Sequence, residues 1–294
     1  MKKFIVILRM VFLFGVSVGL TAQTKLSPSS ETPNFKDVVE NKLKKTYGIS
    51  LDKICPIETD SVASRVFKEY GAIFVSDNGG KLPARCIFDD ENQVSAFQSG
   101  ANPKTAVIGG TAITLQESAM NSLLEAIEEA KQQKLRITPR GGSIAASRSY
   151  RDTERLWDSR FYPALNYWVG KGKISRKDAE IVIGLPIHEQ VAKVLEWESK
   201  GLYFSKDLSK SILFSVAAPG ASQHIFMLAL DVEQFANKEV RKILANHGWF
   251  QTVKSDLPHF TYLGVKNEES QLRALGLKAI TVGGQKFWIP NIEP

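Results

Sequence analysis

Few residues in this 294-residue chain have the chemistry to do catalysis. It has four histidines, at 188, 224, 247 and 259, and two have unusual neighbours: His224 closes the run Pro219-Gly-Ala-Ser-Gln-His, and His259 follows Asp256-Leu-Pro. A tetrahedral zinc site that performs hydrolysis needs three protein ligands, drawn from neutral imidazole nitrogens and a carboxylate oxygen, with a fourth position open. Asp231 lies seven residues after His224, so a run from loop into strand over residues 225–230 would let imidazole and carboxylate converge. Spacing alone does not select this pair, because a His and an Asp at that separation arise often by chance. Taken singly, His224 reads more simply as a packed or surface histidine, Asp256 as a turn or cap residue, and Arg148 as a surface charge.

Order along the chain adds what spacing lacks. Ser222-x-His224 followed by Ala229-x-Asp231, then Asp256-x-x-His259 ahead of Phe260-x-Tyr262, resembles the D-alanyl-D-alanine carboxypeptidase and L-alanyl-D-glutamate endopeptidase family of zinc peptidases. Upstream, Ser147-Arg148-Ser149-Tyr150-Arg151-Asp152-Thr153 is similar to the family's Tyr-Arg-Ser-Tyr segment. The resemblance spans about residues 115–264 and implies one zinc ion held by His224, Asp231 and His259, with Asp256 as catalytic base. It places Arg148 and Ser222 on the substrate side, Arg148 orienting the substrate and Ser222 supporting the loop of the first ligand. The implied substrates are the peptide stems of peptidoglycan, most simply D-Ala-D-Ala ends. The sequence departs from the family pattern at Met227, where a Gly usually follows the first His by three residues, and at Ser147, where the family has Tyr. Asp256-x-Pro-His-Phe also looks more like the endopeptidase branch, so an L-Ala–D-Glu cut stays open. An exported wall-binding module without turnover is the rival outside the enzyme class, motivated by Met227.

The residue types suit that reaction. A carboxylate at 256 would take a proton from the attacking water and pass it to the leaving amine, and Pro258 stiffens the link between Asp256 and His259. The guanidinium of Arg148 stays charged and can grip a carboxylate through two parallel hydrogen bonds, which Lys cannot reproduce. His188 and His247 read as structural, the latter at a helix end where partial positive charge is favourable.

The positioning elements follow from periodicity. Helical spacing is expected over residues 35–47, 61–70, 115–134, 152–168, 177–201 with a break or kink at Pro186, and 240–247. Strands are expected at 72–75 and 85–88, joined as a hairpin through Asp77-Asn-Gly-Gly80, and at 135–138, 213–216, 227–232 and 260–263. The pattern predicts an α+β fold: a small antiparallel sheet carrying the metal site, flanked by helices, with an N-terminal α+β extension. The aromatic-rich stretch Trp157 to Trp168 has helical spacing, which favours core packing over a ligand groove.

The N-terminus reads as a secretory signal over residues 1–22, with Lys2, Lys3 and Arg9 ahead of and beside an apolar run at 10–20 and a small residue, Ala22, for cleavage. The run is shorter than the roughly 20 residues that span a bilayer, so no integral membrane segment is expected once the signal is removed, and the destination is the periplasm or cell envelope. Residues 23–34, rich in Ser, Thr and Pro, read as a linker; 35–112 form an N-terminal region of unassigned role, 113–266 the peptidase domain and 267–294 a C-terminal extension. Three of the 38 basic residues lie in the signal, and the remaining 35 against 31 acidic residues leave +4. That charge suits work near anionic envelope polymers and, without basic clusters interleaved with aromatics, argues against nucleic acid. The two cysteines, Cys55 and Cys86, would form one disulfide in an oxidising compartment or sit as two buried thiols.

Overall fold

Asn34 starts the first helix by accepting a hydrogen bond from the Lys36 amide, and Gly48, at φ +66°, ends it in the left-handed conformation. The structure, a computed structural model, describes Met1 and residues 31–292, of which those from Thr32 onward belong to one compact unit. The expected signal and most of the expected linker lie outside the described residues.

In chain order the elements are α1 (Phe35–Tyr47), α2 (Leu51–Ile54), α3 (Ser61–Tyr70), α4 (Glu91–Ser99), β1 (Pro103–Ile108), β2 (Thr111–Gln116), α5 (Glu117–Gln132), α6 (Tyr150–Gly170), α7 (Arg176–Ile183) and α8 (Ile187–Ser199). There follow β3 (Ala229–Asp231), α9 (Lys238–Asn246), β4 (Trp249–Phe250), β5 (His259–Tyr262), α10 (Glu269–Ala274), β6 (Leu277–Val282) and β7 (Gln285–Pro290). The class is α+β, as the pattern predicts: helices surround a three-stranded antiparallel sheet ordered β3-β5-β4, with two separate hairpins, β1-β2 and β6-β7. The expected helices form, two of them with both ends as predicted, because each carries a buried stripe and most a polar cap; α6, for example, opens with a reciprocal capping box between Ser149 and Asp152. Trp157 and Phe161 of α6 are fully buried, which answers the aromatic stretch in favour of core packing at those positions.

Four expectations are corrected. Residues 71–75 form a 3-10 helix rather than a strand. Gly71 keeps a right-handed conformation, so α3 runs straight on, and all five residues are buried, leaving none of the alternation a half-exposed strand needs. Residues 85–88 are held by single hydrogen bonds to two different segments, Cys86 N to the Ile54 carbonyl at the end of α2 and Phe88 N to that of Gly220, so no ladder forms and there is no hairpin. Residues 135–138 lie alongside β3 without becoming a strand: Glu233 N donates to the Thr138 carbonyl and Arg140 N to that of Asp231, but between them Pro139 has no N–H, and only one bridge, to Val232, results. Residues 213–216 fall on a 3-10 turn, Ile212–Phe214, whose first amide is taken by the Glu198 carboxylate.

Both hairpins escaped the pattern reading although each carries a strong turn signal. Gly109-Gly110 and Gly283-Gly284 all have positive φ, as a two-residue turn between right-twisted strands requires. The region from 35 to 112 and the C-terminal stretch share bonds with the rest of the unit: Phe35 N donates to the Asn291 carbonyl, Asp77 N to that of Leu263 and Trp288 N to that of Gln251. Cys55 and Cys86 are joined in a disulfide, their Cα atoms 5.2 Å apart.

Candidate metal centre

Antiparallel register brings two of the three expected ligands together. Asp231, the last residue of β3, is directly opposite His259, the first of β5, so both side chains rise from the same face of the sheet. His224 arrives from a 3-10 turn, Gln223–Phe226, which ends at Met227 in the left-handed conformation (φ +54°) and feeds directly into β3. Met227 thus adopts the geometry a glycine would take freely, at a cost of about 1–2 kcal/mol, while its side chain is fully buried.

His224 Nε2 is 3.1 Å from His259 Nδ1 and 3.4 Å from Asp231 Oδ1, and His259 Nδ1 is 3.3 Å from the same Oδ1. Three donors on a tetrahedral ion at 2.0–2.1 Å stand about 3.3–3.4 Å apart, so the triangle has the size of one face of a zinc tetrahedron. Three lone pairs aimed at one point repel unless a cation lies among them, and the set of two imidazoles and a carboxylate is the donor chemistry zinc takes. Among the described residues this is the one group of three or more His, Cys, Asp or Glu side chains whose donor atoms meet in this way.

Electrostatics keep the donors bare. Burial, reinforced by the Arg148 charge, lowers the His224 pKa to about 4, so the ring is neutral near pH 7. Burial disfavours the Asp231 carboxylate, but its contacts with the two histidine rings outweigh this and hold its pKa well below the usual carboxylate range. For His259 the tautomer is fixed by a chain of contacts. Gln223 Nε2 donates to the Tyr70 carbonyl at 2.7 Å, which turns Gln223 Oε1 toward His259 Nε2, 2.8 Å away, and Thr261 Oγ1 donates to that same oxygen. His259 Nε2 must then carry the proton, leaving Nδ1 free to bind. His224 Nδ1 is buried with no hydrogen-bond partner among the described residues.

The other expected site residues surround a cleft of about 320 Å³ that opens onto His224 and His259. Asp256 lines it, and burial raises its pKa, with the nearby Asp231 adding to the effect and His259 and the arginines 148 and 140 opposing it. Ser222 also lines the cleft; its carbonyl accepts from Ile225 N, but its hydroxyl does not cap the turn. Arg148 is engaged more tightly than the sequence reading expects. Its Nη2 donates to Asp231 Oδ2 at 3.0 Å and its Nε to the Ile144 carbonyl, while its own carbonyl, like that of Ile225, accepts from Gln98 Nε2. One arginine therefore both faces the cleft and orients the Asp231 carboxylate. His188 pairs with Asp60 and His247 with Glu129, both away from the cleft.

Sequence reasoning missed Gln223, Thr261, Tyr70 and Gln98. The last two come from the region without an assigned role and reach the site through a backbone carbonyl and a side-chain amide. No protein-family model matches the chain, and no curated protein matches its sequence. Among solved structures, a mutant of the vancomycin-resistance D,D-pentapeptidase VanY from a VanB-type cassette, in complex with Zn(II), aligns over 56% of this chain and 82% of its own, with 14% identity and a TM-score of 0.30. A likeness that distant carries no functional weight.

Proposed function

We propose that this protein is an exported zinc peptidase of the cell envelope that hydrolyses the stem peptides of peptidoglycan, acting first on D-Ala-D-Ala ends. The observation that carries the reading is the triangle of His224 Nε2, Asp231 Oδ1 and His259 Nδ1, sized for one tetrahedral face and opening onto a cleft. The disulfide between Cys55 and Cys86 supports an oxidising compartment, in line with the signal-like N-terminus.

A bound zinc ion would polarise the scissile carbonyl and bring the pKa of water toward roughly 7. Asp256 accepts a proton as the water oxygen bonds to the carbonyl carbon, and returns it to the amine nitrogen as the C–N bond breaks. Burial raises its pKa, which makes the carboxylate a stronger acceptor for the proton it must hold between those two steps. Arg148 fixes the orientation of Asp231 through Oδ2 and presents its remaining edge to a substrate carboxylate. The same apparatus would serve an L-Ala–D-Glu cut, and the Asp at 256 favours keeping that second reading.

The test is to incubate the zinc-loaded protein, with and without a chelator, with defined muropeptides and identify products by mass spectrometry. Chelator-sensitive loss of one terminal alanine is expected, and an internal cut would establish the endopeptidase reading instead. In Asp256→Asn, turnover should fall by about 10²–10⁴ with zinc content unchanged; no chelator-sensitive product from any stem would leave only a wall-binding module.

A further inference from the structure

The cleft extends well past the metal ligands, and one face of α6 forms its length. Thr153, Leu156 and Arg160, at spacings of three and four residues, all line it. Thr153 marks the inner end, because its hydroxyl accepts from Gly220 N in the loop that leads to His224. Arg160 lies seven residues further along, about 10 Å at the helical rise, which an extended peptide covers in about three residues.

Arg160 is fixed there by neutral partners. Its Nε donates to Ser215 Oγ and its Nη1 to Ser159 Oγ, both at 2.9 Å, while no carboxylate pairs with it and Nη2 has no hydrogen-bond partner among the described residues. Asp256 is the one carboxylate among the described cleft-lining side chains, and it belongs with the metal ligands. A half-buried guanidinium held rigidly, with one edge open and its charge unmatched, is a receptor for a carboxylate.

We propose that the outer end of the cleft is a second recognition site, in which Arg160 binds a carboxylate of the substrate about three residues from the bond that is cut. The site selects acidic stems over stems in which that carboxylate is amidated. The position of the cut rests on the peptidase reading above, whereas the preference for the anion does not.

The experiment measures binding of the zinc-loaded full chain to paired peptides that carry a reduced amide at the bond to be cut. Each pair bears either a carboxylate or its carboxamide at the third residue on one side of that bond. The wild type should prefer the acid by about tenfold to a hundredfold, Arg160→Gln should bring the ratio to near one at an unchanged melting temperature, and Arg160→Lys should keep part of it. Equal affinity of the wild type for acid and amide on both sides, a ratio untouched by Arg160→Gln, or an equal loss for both peptides would each overturn the assignment. Cleavage of the unmodified peptides is scored separately: an intact acid preference with no cleavage would remove the peptidase reading and leave the subsite standing.

Discussion

Gln223 decides which nitrogen of His259 is bare, and it does so through a contact made far away in sequence, with the carbonyl of Tyr70. Gln223→Leu removes the acceptor for His259 Nε2–H and frees the ring to rotate or change tautomer. Zinc affinity should fall by about 10- to 100-fold, read by competition with a chromophoric chelator. An unchanged affinity in the leucine variant would remove Gln223 from the site. Arg148→Ala should likewise lower zinc affinity by about tenfold, in addition to any loss of turnover, because Asp231 Oδ2 loses its charged partner. Affinity equal to wild type would mean that Arg148 serves the substrate alone. The grouping of His224, Asp231 and His259 was legible in the sequence because His, Asp and their order along the chain form a pattern. Gln223, Thr261 and Gln98 were not, since an amide or hydroxyl has no signature until its partner's position is known.

At the scale of elements, the helices were readable because stripe and cap are local, whereas the path of the connecting segments is set by contacts between distant parts of the chain. The loop carrying His224 shows this. Gly220, at φ +78°, lies so close to Phe88 that an added Cβ would stand 2.0 Å from its carbonyl oxygen. Gly220→Ala combines left-handed strain of about 1–2 kcal/mol with a backbone clash, so it should lower both melting temperature and zinc affinity; a variant with both intact would show that the loop can shift freely. The same dependence on distant partners explains why residues 213–216 read as a strand and fold as a turn. Glu198 on α8 takes the amides of Phe204 and Ile212, pinning the segment that leads into the cleft wall. Burial raises its pKa against the opposing hydrogen bonds from Ser211, Ile212 and Phe204. The folded state thus holds the Glu198 proton at pH values where the unfolded chain has released it, and stability from this group falls as pH rises from the ordinary glutamate value of 4.5 through the folded pKa. Relative to Glu198→Gln, the wild type should gain melting temperature as pH is lowered from about 7 toward about 5, and a difference independent of pH would contradict the raised pKa.

Across the whole unit, the candidate metal site is coupled to a region for which the family resemblance had no role. The disulfide joins the end of α2 to the segment before α4, and two residues past Cys86 the Phe88 amide holds the Gly220 carbonyl at the root of the His224 loop. α4 then reaches both site loops through Gln98, and α3 ends at Tyr70, whose carbonyl orients Gln223. The sequence offered Cys55 and Cys86 without their separation in space, so pairing could not be read from it, nor could the route from the cysteines to the metal. A cross-link between residues separated by 31 positions restricts the unfolded chain by about 3–4 kcal/mol in the chain-entropy account. The double variant Cys55→Ser/Cys86→Ser should therefore lose about that much stability to denaturant, and, because the Phe88 segment is no longer tethered, bind zinc more weakly even under conditions where it remains folded. Denaturation in urea with and without reductant, followed by zinc titration of the folded variant, reads the two effects separately. Lost stability with undiminished zinc affinity would confine the disulfide to a global role, and stability equal to that of the oxidised wild type would show that the cross-link constrains nothing the fold does not already hold.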